Sequence, residues 1–70
     1  MMPITFADKG KEYVIARLSG NAQMRQHLAD LGFVVGGKVK VISETDGNLI
    51  VNVKESRIAI GKDLANRIMI

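Results

Sequence analysis

Short runs of alternating apolar and polar residues divide much of the chain into segments typical of β-strands. Residues 12–18 predict a first strand, and its expected inward-facing side chains are Val14, Ala16 and Leu18. Residues 38–45 and 49–54 repeat the pattern and predict an antiparallel pair of strands. The expected inward-facing residues of this pair are Val39 and Val41 on one strand and Leu49, Val51 and Val53 on the other.

The length of the loop between these paired strands decides which of their side chains oppose each other. Opposed residues on antiparallel strands share a face of the sheet. A two-residue loop at Asp46-Gly47 would place Val41 opposite Asn52. A three-residue loop ending at Asn48 would place Val41 opposite Val53 and keep the apolar face intact. We therefore expect the longer loop, with Asn48 in the left-handed conformation, unless a β-bulge restores the parity.

Two apolar runs near the carboxyl end predict the last strands. They occupy residues 57–60 and 67–70, and residues 61–66 between them are consistent with a single helical turn. The expected inward-facing residues of these strands are Ile58, Ile60, Ile68 and Ile70.

One segment has the period of an α-helix together with both of its end signals. Asn21 is a favourable N-cap, because its side-chain oxygen can accept amide protons of the first turn. Met24, Leu28 and Leu31 then recur at i, i+4 and i+7. Gly32 follows directly, as expected of a residue with positive φ beyond a helix end. We predict a helix between Asn21 and Gly32 whose apolar stripe closes the core.

The predicted fold class is mostly β: a small five-stranded barrel with one short α-helix inserted after the first strand. Seventy residues form one domain, 1–70. Five short strands are too few for a sandwich, and a bent barrel leaves few exposed strand edges. The strand residues expected to matter most for this structure are Val41, Val53, Ile58, Ile60 and Ile68.

The charge distribution does not indicate a nucleic-acid-binding protein. The net charge is +3, and the ten Lys and Arg residues are interleaved with seven Asp and Glu residues, without a basic block. The chain has no apolar run long enough to span a bilayer and no recognisable secretory signal, so we expect it in the cytoplasm.

The residues with catalytic or metal-binding chemistry are too few for an active site. The chain has no cysteine and a single histidine, His27, so a catalytic triad or a tight metal site lacks its groups. Asp30 lies three residues from His27 and could form a local pair with it. We expect no enzymatic activity, no metal site and no cofactor.

Several motifs resemble the ferrous iron transport protein A (FeoA) family. The run Arg25-Gln26-His27-Leu28-Ala29-Asp30-Leu31-Gly32-Phe33 is similar to the family pattern R-x-x-L-x-x-[LM]-G-[LF]. Residues 8–15, 36–42 and 57–70 resemble, in the same order, its first turn and strand, its G-x-x-V-x-V strand and its R-[IL]-A-[IL]…A-x-x-I-x-V ending. The chain departs from the family at Val35, where Pro is common, and at residues 54–56, where Gly is frequent.

The resemblance implies an SH3-like barrel of the bacterial cytoplasm. It also implies a role beside the FeoB-type ferrous iron transporter, a membrane protein with a cytosolic GTP-binding domain. Iron would then be the cargo of the pathway and not a ligand of this chain. We expect an accessory protein that binds the cytosolic domain of the transporter and modulates its assembly or nucleotide cycle. It would be peripheral to the membrane through that partner, and self-association stays open.

The expected partner-binding residues lie on the helix and in the loop after it: Arg25, Phe33, Val34 and Val35. Val34 and Val35 cannot easily both face inward, and an exposed apolar pair in a loop is suited to contact. Phe33 is either part of this surface or a core residue that caps the barrel. Arg25 is either a solvated helix charge or an anion contact.

Two other functions remain open at the level of sequence. SH3-like domains of this kind also occur in iron-dependent repressors, which would make the chain a regulatory module. An RNA-binding small barrel is the other alternative, and it requires a basic stripe on the folded surface together with exposed aromatic residues.

Overall fold

A computed structural model describes all 70 residues and contains six strands and two helices. The strands are β1 (Glu12–Val14), β2 (Arg17–Leu18), β3 (Lys38–Thr45), β4 (Asn48–Val53), β5 (Ser56–Gly61) and β6 (Ile68–Met69). Helix α1 (Ala22–Asp30) follows β2, and the short helix α2 (Lys62–Ala65) follows β5. A 3-10 turn at Ile4–Phe6 precedes the first strand.

The strands form two antiparallel sheets. The larger has the order β1-β3-β4-β5, and the smaller pairs β2 with β6. Met2 and Ile70 exchange backbone hydrogen bonds of 2.9 and 2.8 Å, so the two ends of the chain extend the smaller sheet together. The result is the mostly β small barrel with a helix after its first strand segment that the sequence predicts.

The expected first strand is in fact two short strands, which raises the strand number from five to six. The chain bends at Ile15, whose amide donates to the Gly37 carbonyl and whose carbonyl accepts from the Gly36 amide, both at 2.8 Å. Ile15 is fully buried, whereas Val14 and Ala16 are exposed. The prediction that Val14 and Ala16 face inward was therefore wrong, because Tyr13 and Ile15 face the core instead, whereas Leu18 packs against the core as expected.

The turn between β3 and β4 also differs from the prediction. Thr45 opposes Asn48, so the loop has two residues, Asp46 and Gly47. Their φ values of 49° and 79° are those of a type I′ hairpin turn. The three-residue loop was wrong, and Asn48 does not take the left-handed conformation.

A β-bulge restores the parity that the shorter loop would break. The register shifts between Val41 and Ser43, which leaves Ile42 without an opposed residue. Val41 therefore opposes Val51, and Val39 opposes Val53. The apolar face is therefore continuous, as burial requires. The extra residue that restores the parity lies in the bulge within β3 and not in the turn.

Helix α1 begins and ends where the sequence predicts. The Asn21 side chain accepts the Met24 amide proton at 2.8 Å. At the other end, Phe33 donates to the Leu28 carbonyl and Gly32 donates to the Ala29 carbonyl, both at 2.9 Å. These two bonds, with a φ of 109° at Gly32, form a Schellman motif.

Twelve apolar side chains form the buried core, and no polar side chain is buried among them. The core consists of Ile4, Ile15, Leu28, Phe33, Val39, Val41, Leu49, Val51, Val53, Ile60, Ala65 and Ile68. Leu31 and Ile58 are partly buried and pack against it. Met24 is half-buried but lies outside the core, so the expectation that it closes the barrel was wrong. Ile4 is a core residue that lies outside every element predicted from the sequence.

Candidate protein-binding surface

The loop after helix α1 is a tight turn that presents one valine to solvent. The Gly37 amide donates to the Val34 carbonyl at 2.9 Å, and Gly36 has a φ of 88°. These are the features of a type II turn with Val35 at its second position. A Cβ atom on Gly37 would come within 3.1 Å of the Val34 carbonyl oxygen, so any larger residue there would crowd the turn. Val35 is 63% exposed, while Val34 is half-buried.

Two more apolar residues lie beside this turn. The hydrogen bond from Gly36 to Ile15 joins the turn to the bend between β1 and β2, where Val14 and Ala16 face outward. Val14 is 55% exposed although it is a large apolar residue. We call the set Val14, Ala16 and Val35 the apolar surface. Its two valines stand on backbone held by hydrogen bonds on both sides, so the surface is preformed.

The structure does not bring all the predicted contact residues together. Phe33 is completely buried, because the Schellman motif directs it into the core beside Leu28, and it cannot serve as a surface contact. Arg25 is exposed, and its guanidinium donates to the Gly20 carbonyl at 2.6 Å, before the start of the helix. The Arg25 side chain is thus directed to the amino-terminal end of α1, whereas Val35 lies in the loop after its carboxyl-terminal end.

A polar depression adjoins the apolar surface on the outer side of the larger sheet. It has a volume of 280 Å³ and contains three lysines and two glutamates. Its lining residues are Glu12, Lys38, Val39, Lys40, Asn52, Val53, Lys54 and Glu55. Lys38 opposes Val14 in the sheet and lies 3.8 Å from Glu12. Since Lys40 and Lys54 have no carboxylate partner, the border of the apolar surface is weakly positive.

The side chains do not form a metal site. No three residues among the His, Asp and Glu side chains lie close enough together to hold a metal ion. Asp30 accepts a hydrogen bond of 2.9 Å from the Gln26 side chain and forms no ion pair with His27, the local pair that the sequence allowed. The surface offers apolar contact bordered by positive charge.

No helix in the structure is long and apolar enough to span a membrane.

The small mostly β barrel of two antiparallel sheets, with one helix inserted after β2, is an SH3-like fold. The model of the FeoA domain matches residues 2–70. The chain therefore belongs to the FeoA domain family.

Comparison with individual proteins agrees with this assignment. The chain is 37% identical to a protein of Methanocaldococcus jannaschii described as a candidate Fe(2+) transport protein A, over all of this chain and 85% of that protein. It resembles the crystal structure of an iron uptake regulatory protein, FeoA, with a TM-score of 0.86 and 31% identity, over 96% of this chain and 89% of that one. It also resembles FeoA of Stenotrophomonas maltophilia, a prokaryotic SH3 domain protein in complex with zinc. The TM-score is 0.83 at 23% identity, over 99% and 88% of the two chains, which supports the fold.

Sequence reasoning missed Val14 and Ala16 as surface residues. It assigned the face of the first strand from the alternation of Val14, Ala16 and Leu18. The neighbouring residues Tyr13 and Ile15 have the same spacing and larger apolar side chains. This difference in size could have identified them as the residues that face the core. Tyr13 and Ile15 are the pair that faces the core.

Proposed function

We propose that this protein is a small cytoplasmic accessory protein of ferrous iron uptake. In this role it binds the cytosolic domain of a FeoB-type ferrous iron transporter and modulates the assembly or the nucleotide cycle of that transporter. The observation that supports it most is the apolar surface: two large valines, 55% and 63% exposed, on rigid backbone of a FeoA-family chain.

The exposed valines of the apolar surface suit a protein partner. Exposed valines in a preformed turn gain free energy when a partner removes them from water. No group of three His, Asp or Glu side chains that could hold a metal ion lies in the structure. Iron is then the cargo of the transporter, and this chain contributes contacts to the protein that moves it.

The RNA-binding alternative lacks a stacking surface. Lys38 and Lys40 stand on the outer side of the larger sheet, but no aromatic residue stands beside them there. Phe33 is buried, Tyr13 faces the core, and the exposed Phe6 lies in the amino-terminal 3-10 turn. Proteins that bind single strands need aromatic side chains within a positive groove, so we favour the protein partner.

The role in uptake is tested by deleting the gene and measuring the initial rate of ⁵⁵Fe²⁺ entry into cells. We expect a lower rate at limiting iron, restored by the unchanged protein and not by the Val14→Asp, Val35→Asp double variant. An uptake rate that is unaffected by the deletion would refute the accessory role.

A further inference from the structure

Strand β5 has one side without a partner. It pairs with β4 through six opposed residues, and no strand lies along its other side. Arg57 and Ala59 in the middle of β5 are both exposed. Unpaired backbone groups on an exposed edge strand form a template for another strand.

The ladder between β4 and β5 identifies which backbone groups are free. The Lys62 amide donates to the Gly47 carbonyl at 3.1 Å, one position beyond the opposed pair of Asn48 and Gly61. Hydrogen-bonded and non-bonded pairs alternate along an antiparallel ladder. The β5 residues that exchange backbone hydrogen bonds with β4 are therefore Ile60, Ile58 and Ser56.

The residues between them point the other way. The N–H and C=O groups of Arg57 and Ala59 are directed away from β4, and no turn, cap or loop hydrogen bond reaches them. Two donors and two acceptors thus stand in a row along the outer side of β5. This arrangement can accept exactly one further antiparallel strand.

We propose that two copies of this chain pair through β5, antiparallel, about a two-fold axis that passes between their Ile58 residues. Arg57 of each copy then opposes Ala59 of the other, and each such pair exchanges two backbone hydrogen bonds. The outward-facing N–H and C=O groups of Arg57 and Ala59 are all satisfied in this register. The pairing is isologous, so it closes at two copies.

The side chains suit this register. On the outer face, the long Arg57 side chain meets the small Ala59 of the second copy. Its Nε lies 3.5 Å from Asn52 Oδ1 on β4, so the guanidinium is directed away from the second copy. On the inner face, the two partly buried Ile58 side chains oppose each other and lose their remaining exposure to water.

The contact is small, and the expected dimer is weak. One strand from each copy gives an area well below the 1,200–2,000 Å² or so of stable interfaces. We expect a dissociation constant of about 0.1–1 mM.

A dilution series followed by ¹⁵N NMR tests the pairing on the unchanged protein. With rising concentration, the amide protons of Arg57 and Ala59 should shift and become protected from exchange with water. The amides of Ile58 and Ile60 already bond to β4, so their protection should stay constant. Spectra that do not change with concentration up to several times that dissociation constant would overturn the proposal, as would changes confined to the apolar surface.

Two variants at Ala59 distinguish the contribution of the free backbone N–H to self-association from that of the side chain. Ala59→Pro removes a free N–H but no bond to β4, and proline is tolerated at such an edge. Ala59→Ser keeps the N–H. Sedimentation equilibrium should show self-association weakened at least tenfold by proline and little changed by serine. A folded proline variant that associates as strongly as the unchanged protein would refute the proposal; if proline prevents folding, the dilution series decides alone.

Discussion

Lys54 and Glu55 form the turn between β4 and β5 with φ values of 49° and 64°. Non-glycine residues in this left-handed region are destabilised by about 1 kcal/mol or more each. Glycine adopts such φ values without this cost. Neither residue was predicted to adopt positive φ, because a Lys-Glu pair lacks the Asn-Gly signal of a type I′ turn.

Glu55→Gly is therefore expected to stabilise the protein. Removal of the Cβ relieves the strain at φ 64°, and the side chain forms no ion pair that would be lost. We expect the free energy of unfolding in urea to rise by about 1 kcal/mol. Ser56→Gly, one residue further in an ordinary strand conformation, is the control and should lower it by about 0.5–1 kcal/mol. The same sign of change for both variants would contradict the strain.

At the scale of elements, local signals were sufficient for helix α1 and insufficient for the strands around it. Asn21, the apolar spacing and Gly32 act within the helix itself, so the sequence places its ends correctly. The bulge at Ile42 and the bend at Ile15 depend on residues far along the chain, namely β4 and the turn at Gly36. For this reason the expected inward orientation of Val14 and Ala16 and the expected three-residue loop were both wrong.

The type II turn after α1 gives a prediction for Val35→Pro. The second position of this turn has a φ close to that of proline, and no backbone hydrogen bond uses the Val35 amide. Proline should raise the free energy of unfolding by about 0.4–1 kcal/mol by restricting the unfolded chain. Gly36→Ala is the control: at φ 88° it should destabilise by about 1 kcal/mol or more. A destabilising proline together with a neutral alanine would rule out this turn type.

At the scale of the whole molecule, an ion pair joins the larger sheet to the carboxyl-terminal part of the chain. Lys62 Nζ in α2 lies 2.9 Å from Glu44 Oε2 near the end of β3. The hydrogen bond from Lys62, followed by the attraction of its charge, holds the pKa of Glu44 below the ordinary value. Because the folded-state pKa is lowered, the pair favours folding above the pKa of the unfolded chain, about 4.3, and this contribution disappears as the pH falls through the folded value.

Lys62→Met should return the pKa of Glu44 toward that ordinary value. A ¹³C NMR titration of the Glu44 carboxyl group in both proteins measures the change. The Glu12 carboxyl, 3.8 Å from Lys38 and far from the substitution in sequence, serves as the control. Identical Glu44 titration curves in the two proteins would show that the ion pair is absent in solution.

The whole molecule also separates its two candidate contacts. The apolar surface lies at the β1 edge of the larger sheet, and the free strand edge lies at β5, three strand spacings or about 14 Å away along the sheet. The family resemblance indicated a binding role, and the two consecutive valines in a loop indicated Val34 and Val35. Only the folded backbone joins Val35 to Val14 and removes Phe33 from the surface.

The most direct test is a calorimetric titration of the cytosolic GTP-binding domain of the organism's ferrous iron transporter with this protein. Val14→Asp, Val35→Asp should weaken binding at least tenfold, because charged groups would replace the two exposed valines. Gln23→Asp, Thr45→Asp adds the same charge at exposed positions away from the apolar surface and should bind as the unchanged protein does. If the unchanged protein does not bind, or if both double variants bind equally well, the apolar surface is not the site for this partner.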